Sequence, residues 1–317
     1  MQYRKLGKSG LKLPIISFGL WQNFDADTPI ETIEEMIYYA FENGITHFDL
    51  ANNYGLPYGA AETRFGEVLQ RGFNKHRDEI IISTKAGYFM WDGPYGDGGS
   101  RKYLFASLNQ SLQRMGLDYV DIFYHHRWDN ETDLRETMLA LRDIVLQGKA
   151  LYVGLSNYNE QQLARAIEML DEMNVPYVVA QNKYSMLERG IETDTLNTVK
   201  KTNTGLVAFS PIAQGKLTNK YITGIPDDSR AASRSVFLHK DQITPELVTT
   251  LKKLNIIAQK NNLEIVELAL LWALRTEHVT SLLCGFRTLE QLKQNIKIAN
   301  MEPLTAQTLL EIEEALQ

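Results

Sequence analysis

Along the chain, short runs of β-branched and other apolar residues alternate with longer stretches in which apolar positions recur every three to four residues. This is the pattern of βα units on a parallel sheet, whose strands are buried on both faces and whose helices are buried along one stripe. The apolar runs fall at 15–19, 47–49, 80–85, 119–125, 150–156, 178–182, 205–209 and 281–284. Seven have a core of β-formers, and the second is placed partly by its position in the series. Helical periodicity covers 30–43, 61–71, 103–115, 133–147, 160–173, 192–201 and 265–275. Gly44, Gly116 and Gly148 stand just past the first, third and fourth of these stretches, where a left-handed residue ends a helix. Eight strands with intervening helices predict an α/β fold, a closed (β/α)8 TIM barrel in one domain spanning 1–317, over an open doubly wound sheet. Residues 2–14, with Gly10 in the middle, predict an N-terminal β-hairpin capping the barrel bottom, and 246–261 and 305–316 predict extra helices outside the eightfold repeat.

Bulk properties narrow the function classes. The length of 317 residues suits one large barrel, and 44% hydrophobic with 23% charged residues is ordinary globular usage. A net charge of −6 without clustered Lys and Arg argues against a nucleic-acid surface. The start MQYRKLGKSG is polar and no run approaches about 18 apolar residues, so the expectation is a cytoplasmic chain without a membrane span. The single cysteine, Cys284, lies in an apolar run and reads as buried filler rather than a nucleophile; it allows neither an intrachain disulfide nor a CxxC zinc site. Two connections, 86–102 and 210–245, are long and rich in Gly, Pro, Ser and Asp, as lids and binding loops are.

In a barrel of this kind, polar residues that end strands face the site. Asp49 ends the second run, Tyr54 follows in its loop, Lys85 ends the third and His126 follows the fourth. Singly, each has a plain structural reading: a loop cap, a packing aromatic, a surface charge, a polar loop residue. Together they fit one reaction. A phenol with a pKa of about 10 is a poor acid at neutral pH, and an adjacent ammonium lowers that value. Lys85 suits that role, Asp49 would hold Lys85 charged, and His126 would hydrogen-bond a carbonyl oxygen. His125 and His126 are neighbours and point apart, so no metal site is expected. Gly7-Lys8-Ser9 and the glycines of GPYGDGGS lack the strand and helix context of phosphate-binding loops.

The strings FDLANNYG (48–55), STKAG (83–87), DIFYHHR (121–127) and GLSNY (154–158), in this order, resemble the aldo-keto reductase superfamily over about 2–299. Within it, ITHFDLANNYG, IIISTKAG, MWDGPYGDGGSRKYL and GKALYVG look like the branch that holds bacterial L-glyceraldehyde 3-phosphate reductases and potassium-channel β subunits. The resemblance implies NADPH-dependent reduction of a small aldehyde, of the L-glyceraldehyde 3-phosphate or methylglyoxal type. The family's catalytic tetrad falls on Asp49, Tyr54, Lys85 and His126. In the β subunits the histidine position can be Asn, so His126 favours turnover over the alternative of an NADPH-holding redox sensor or regulatory subunit. An aldolase with Lys85 as Schiff-base lysine is a third reading.

The resemblance also implies the sites around that tetrad. Trp21 and Asp49 fall at the nicotinamide end, Ser156, Asn157 and Gln181 match carboxamide contacts, and Tyr184 lies near where an aromatic stacks. Phe209, Ser210, Pro211, Ile212 and Gly215 match the pyrophosphate segment, with Lys220 and Arg230 at its basic positions or, alternatively, on a solvated loop face. Gly285, Arg287, Gln291 and Asn295 match the adenosine-phosphate site. Arg287 stands where near relatives often have Ser, and Gln294 where several have Glu. A guanidinium can grip a 2′-phosphate with two parallel bonds, which favours NADP(H) over NAD(H). Trp21, Tyr54, Tyr88, Trp91 and His126 would wall the substrate, with Tyr58 and Trp128 as further aromatics that could equally be core packing. Arg127 would meet a substrate phosphate. The partners implied are a small-molecule aldehyde and further copies of the chain in a homo-oligomer.

Overall fold

In the computed structural model, which describes residues 1–227, 229–232 and 238–317, eight parallel strands close into a ring. Two strands precede it, β1 (Tyr3–Lys5) and β2 (Lys12–Pro14). The ring runs β3 (Ile16–Gly19), β4 (His47–Asp49), β5 (Ile81–Ala86), β6 (Val120–His125), β7 (Ala150–Ser156), β8 (Tyr177–Lys183), β9 (Gly205–Phe209) and β10 (Val279–Cys284). Neighbours in sequence pair in space, and β10 returns to β3 through Leu282 to Ile16, Leu283 to Ser17 and Cys284 to Phe18. Every residue of β6 and β10 is buried, as both-faced burial requires of a barrel strand, so these strands carry near-continuous apolar runs.

Helices α1 (Ile30–Glu42), α2 (Ala60–Gln70), α3 (Arg101–Met115), α4 (Leu134–Leu146), α5 (Glu160–Glu172), α6 (Thr195–Thr202), α7 (Pro245–Lys260), α8 (Ile265–Ala273), α9 (Leu289–Ile296) and α10 (Ala306–Leu316) follow or separate the ring strands. Their ends are written in the sequence. Ser100 Oγ accepts from the Tyr103 amide to start α3, Asn159 and Gln162 close a capping box on α5, and Thr244 caps α7 ahead of Pro245. Gly44, Gly116 and Gly148 all have positive φ just past α1, α3 and α4. The expected extra helices are α7 and α10, tied together by Lys260 to Glu311 at 2.6 Å and Thr308 to Asn261 at 3.0 Å. Helix α9, eight residues long, falls where only a phosphate-site motif was expected: it is too short for its period to stand out. The helix expected at 192–201 starts later, at Thr195, behind a 3-10 turn at Gly190–Thr193. Residues 228 and 233–237 of the 210–245 connection lie outside the described residues.

The hairpin β1–β2 closes the barrel floor. Leu6 and Leu13 are buried among the interior side chains Ile122, Tyr124, Val179 and Val207. Arg4 fastens the hairpin by donating to the carbonyls of Leu274, Thr276 and Val279. Leu6 fits because position 205 carries no side chain: a Cβ there would lie 2.2 Å from Leu6 Cδ1. Gly205→Val is therefore expected to cost about 1–3 kcal/mol by overpacking, read in a urea melt, with Leu6→Ala in the same chain restoring part of the loss. A Gly205→Val chain as stable as its parent would overturn this account of the floor.

Among the described residues no helix is long and apolar enough to cross a membrane.

Candidate active site

The strand period of two sends Ser83 and Lys85 to the same face of β5, and pairing of Asp49 with Ser83 puts the end of β4 beside them. Lys85 Nζ makes a short ion pair with Asp49 Oδ2 and donates to the Leu50 carbonyl at 2.7 Å. Asp49 Oδ1 accepts from Ser83 Oγ at 2.6 Å and from Gln181 Nε2 at 3.2 Å. Both charged side chains are fully buried. The Lys85 ammonium lies 5.0 Å from the ring centroid of Tyr54, whose ring meets that of His126 at 5.8 Å. The four residues singled out from four separated motifs are thus brought into one cluster at the C-terminal rim of the barrel.

Electrostatics refine one expectation. Burial, and after it the Asp49 carboxylate, hold the Tyr54 hydroxyl well above the usual phenol range, so the expected lowering by Lys85 is not found. Burial also lowers Lys85, against the opposing pull of Asp49. His126 is held well below the ordinary imidazole range by burial, then by Lys85 and His125, so its ring is neutral near pH 7. Tyr54 thus keeps its proton and His126 is a neutral hydrogen-bonding group. An alkoxide is a far stronger base than a phenolate, so such a phenol still donates to it.

Two further imidazoles are buried. His47 and His125 are both brought down to about 4, first by burial. The unfolded chain, with imidazoles near 6.5, then binds more protons than the folded one between about pH 6.5 and about pH 4. Stability is therefore full above about pH 6.5 and falls as pH drops, by about 2 kcal/mol per buried imidazole between about pH 7.5 and pH 5. Denaturant melts across that range check this, and an unchanged midpoint would contradict it.

A groove of about 1400 Å³ opens over Tyr54 and His126. Trp21 and Tyr88 border it beside Tyr54 and His126, the Trp21 and Tyr54 rings 6.3 Å apart and the Tyr88 and His126 rings 4.7 Å apart, nearly perpendicular. Ser156, Asn157 and Gln181 follow, with Asn157 Nδ2 donating to the His126 carbonyl at 3.0 Å. Phe209 at the end of β9 and Ser210, Pro211, Ile212 and Gly215 on the loop after it continue the wall, and Ser210, Ala213 and Gln214 there are non-glycine residues at positive φ. Lys220 and Arg230 also line it, with Gly285 and Arg287 ahead of α9 and Gln291 and Asn295 on that helix. Asp49 and Lys85 lie beneath the groove and do not border it.

Five other expected residues do not line the groove. Trp91 packs on Tyr103 at 5.2 Å within the 86–102 loop. Arg127 donates to the Gly87 carbonyl, pairs with Asp97 at 2.8 Å and stacks over the Tyr88 ring at 4.9 Å. Tyr184 is buried against Trp272, with its hydroxyl on Glu192, because its side chain leaves β8's end away from the groove; Phe209 borders the groove there instead. Tyr58 is exposed beside Phe89, and Trp128 packs on Tyr158. His125 does point away from His126, bonding Tyr158 at 2.6 Å. Cys284 lines the groove wall, yet burial pushes its thiol up to about 12, which leaves it no thiolate for nucleophilic work.

Sequence reasoning missed Asn53, Ser229 and the start of α8, Glu264 to Val266, which also border the groove. Glu264 carries a capping signal with Glu267 that announces a helix start and says nothing of a ligand. The donor set fits a phosphorylated dinucleotide. The amides of Asn157 and Gln181 lie by His126 and Asp49, and cations line the groove elsewhere, where burial, and after it the like charge of Arg287, lowers Arg230 and Ser229 Oγ is buried without a partner. A phosphate group among them would offset that repulsion.

Comparison with known proteins agrees with this geometry. The model of the aldo/keto reductase family matches residues 15–317. L-glyceraldehyde 3-phosphate reductase of Escherichia coli O157:H7 is 46% identical, with 99% of this chain and 92% of that protein aligned, and the reductase of the same name from strain K12 gives the same figures. A probable voltage-gated potassium channel subunit beta of Arabidopsis thaliana is 33% identical over 100% of this chain and 97% of that protein. Both branches that the motifs resemble are represented.

Proposed function

This chain belongs to the aldo/keto reductase family, and from that premise we propose that it is a cytoplasmic NADPH-dependent reductase of small aldehydes of the L-glyceraldehyde 3-phosphate or methylglyoxal type. The observation that carries the reading is the cluster of Tyr54 and His126, backed by the Lys85–Asp49 pair, on a groove that cations line elsewhere.

The residues divide the work. Ser156, Asn157 and Gln181 would hold a carboxamide, Phe209 would offer an aromatic face, and Lys220, Arg230 and Arg287 would hold phosphates. When bound, the reduced nicotinamide supplies a hydride. The neutral His126 ring orients the carbonyl oxygen, and Tyr54 gives its proton to that oxygen as negative charge develops there. Lys85, fixed by Asp49, sits behind the phenol and supports the phenolate that remains. Trp21 and Tyr88 exclude water from the exchange.

The test is loss of NADPH absorbance with a panel of small aldehydes. Tight NADPH binding without turnover would favour the alternative of a redox-sensing or regulatory subunit. Cofactor choice is tested at Arg287. Arg287→Ala is expected to raise the KM for NADPH by about tenfold or more, the loss of a charge-assisted pair, and to leave that for NADH within about twofold. Equal effects on both cofactors would remove Arg287 as the discriminating residue. Because Arg127 is engaged by Asp97 and stacks on Tyr88, Arg127→Ala is expected to change the KM for glyceraldehyde 3-phosphate and for methylglyoxal alike. A selective rise for the phosphorylated aldehyde would restore it as a phosphate contact.

A further inference from the structure

The interior of a barrel of this kind is filled mainly by branched apolar side chains. Here one sector is polar. Ser281 Oγ lies 2.6 Å from Ser17 Oγ, Ser17 Oγ lies 2.8 Å from His47 Nδ1, His47 Nε2 lies 2.9 Å from Ser83 Oγ, and Ser83 Oγ lies 2.6 Å from Asp49 Oδ1. All five residues are fully buried. Four strands, β10, β3, β4 and β5, each contribute to this line. Apolar side chains of similar shape would fill the same space at little or no loss of stability, so stability alone does not account for it.

The direction of every bond follows from the last acceptor. The Asp49 carboxylate only accepts, so the single Ser83 hydroxyl proton is committed to it. Ser83 must then accept from His47, which requires the proton on Nε2. The His47 ring is neutral, held down to about 4, so Nδ1 carries none and accepts from Ser17. The Ser17 proton is thereby used, and Ser281 donates to Ser17. The donors all run one way, Ser281 to Ser17 to His47 to Ser83 to Asp49, and each bond polarises the next toward the carboxylate.

We propose that His47 and Ser83 are positioning residues for catalysis: through this one-directional chain they fix the orientation of Asp49, and through Asp49 the ammonium of Lys85 behind Tyr54. This rests on the reductase reading above. Neither residue borders the groove, so both act at a distance from cofactor and substrate.

The test uses Ser83→Ala, His47→Leu and His47→Gln in the full chain with NADPH and methylglyoxal. Ser83→Ala and His47→Leu are expected to lower kcat by about tenfold to a hundredfold, the loss of a hydrogen bond to a charged group, with the KM for NADPH within about twofold. His47→Gln keeps a donor toward Ser83 and an acceptor toward Ser17, and its kcat should stay within about threefold of the parent. Combining Ser83→Ala with His47→Leu should cost no more than Ser83→Ala alone, since both break one chain. Nitrogen-edited NMR of the parent protein should find the Nε2–H tautomer of His47. Parent-like kcat in Ser83→Ala, a His47→Gln as impaired as His47→Leu, or an Nδ1–H tautomer would each overturn the proposal. A parent enzyme that reduces no aldehyde would instead sink the reductase reading, while the tautomer still decides the direction of the chain.

Discussion

Tyr54→Phe should lower kcat for aldehyde reduction by about a hundredfold to ten-thousandfold, the range that a positioned general acid contributes, while the Kd for NADPH stays within about twofold. The phenyl ring keeps the edge contact with His126 and the aromatic face above Lys85, so the groove retains its shape. Only the transferable proton is removed. Loss of kcat with unchanged cofactor affinity would mark an interaction made in the transition state. A Tyr54→Phe enzyme with undiminished kcat would remove Tyr54 as the donor and leave His126 as the next group in reach. The neutrality of His126 argues against that substitute, since an imidazole held well below its ordinary range has a poor hold on a proton to give.

The second large effect is on stability. Asp49→Leu leaves the Lys85 ammonium in a fully buried site with one carbonyl for company, and should cost about 3–5 kcal/mol in a denaturant melt. Lys85→Met should do comparable harm by leaving the carboxylate with Ser83 and Gln181 alone. With both changes in one chain, the two charges disappear together, and most of the lost stability should return while activity does not. That recovery separates the cost of an orphaned charge from the value of the pair. A double variant as unstable as the worse single one would mean that the surrounding polar side chains, rather than the missing partner, cause the damage.

Much of the fold and of the site is legible in the sequence alone. Strand runs on a both-faced buried sheet are near-continuous in apolar residues, which made the ring readable, and glycines with positive φ marked helix ends. The cluster of Asp49, Tyr54, Lys85 and His126 was readable because each sits at the end of a strand, where topology brings separate motifs together. What failed is what depends on side-chain direction. Tyr184 and Phe209 each stand near a strand end, yet one turns under α8 and the other borders the groove. Arg127 adjoins His126 in sequence, but Asp97 from a loop thirty residues earlier captures it. The acidity of Tyr54 is set first by its burial and then by the Asp49 carboxylate, and neither its depth nor its neighbours can be read from the sequence. His47 looked like one more residue of a short strand; only the meeting of four strands gives it a task.

The bond between Ser17 and Ser281 crosses the seam where β10 joins β3, the place at which the beginning and the far part of the chain meet. During synthesis β3 emerges early and must wait for residues 279–284 before its free edge is covered. A growing chain stopped short of that point exposes two open edges, on β3 and on β9, each a template for pairing with another unfinished chain. The seam therefore makes the late part of translation the dangerous interval for aggregation. It also means that Ser281, the outermost donor in the line to Asp49, joins that line only when the barrel closes.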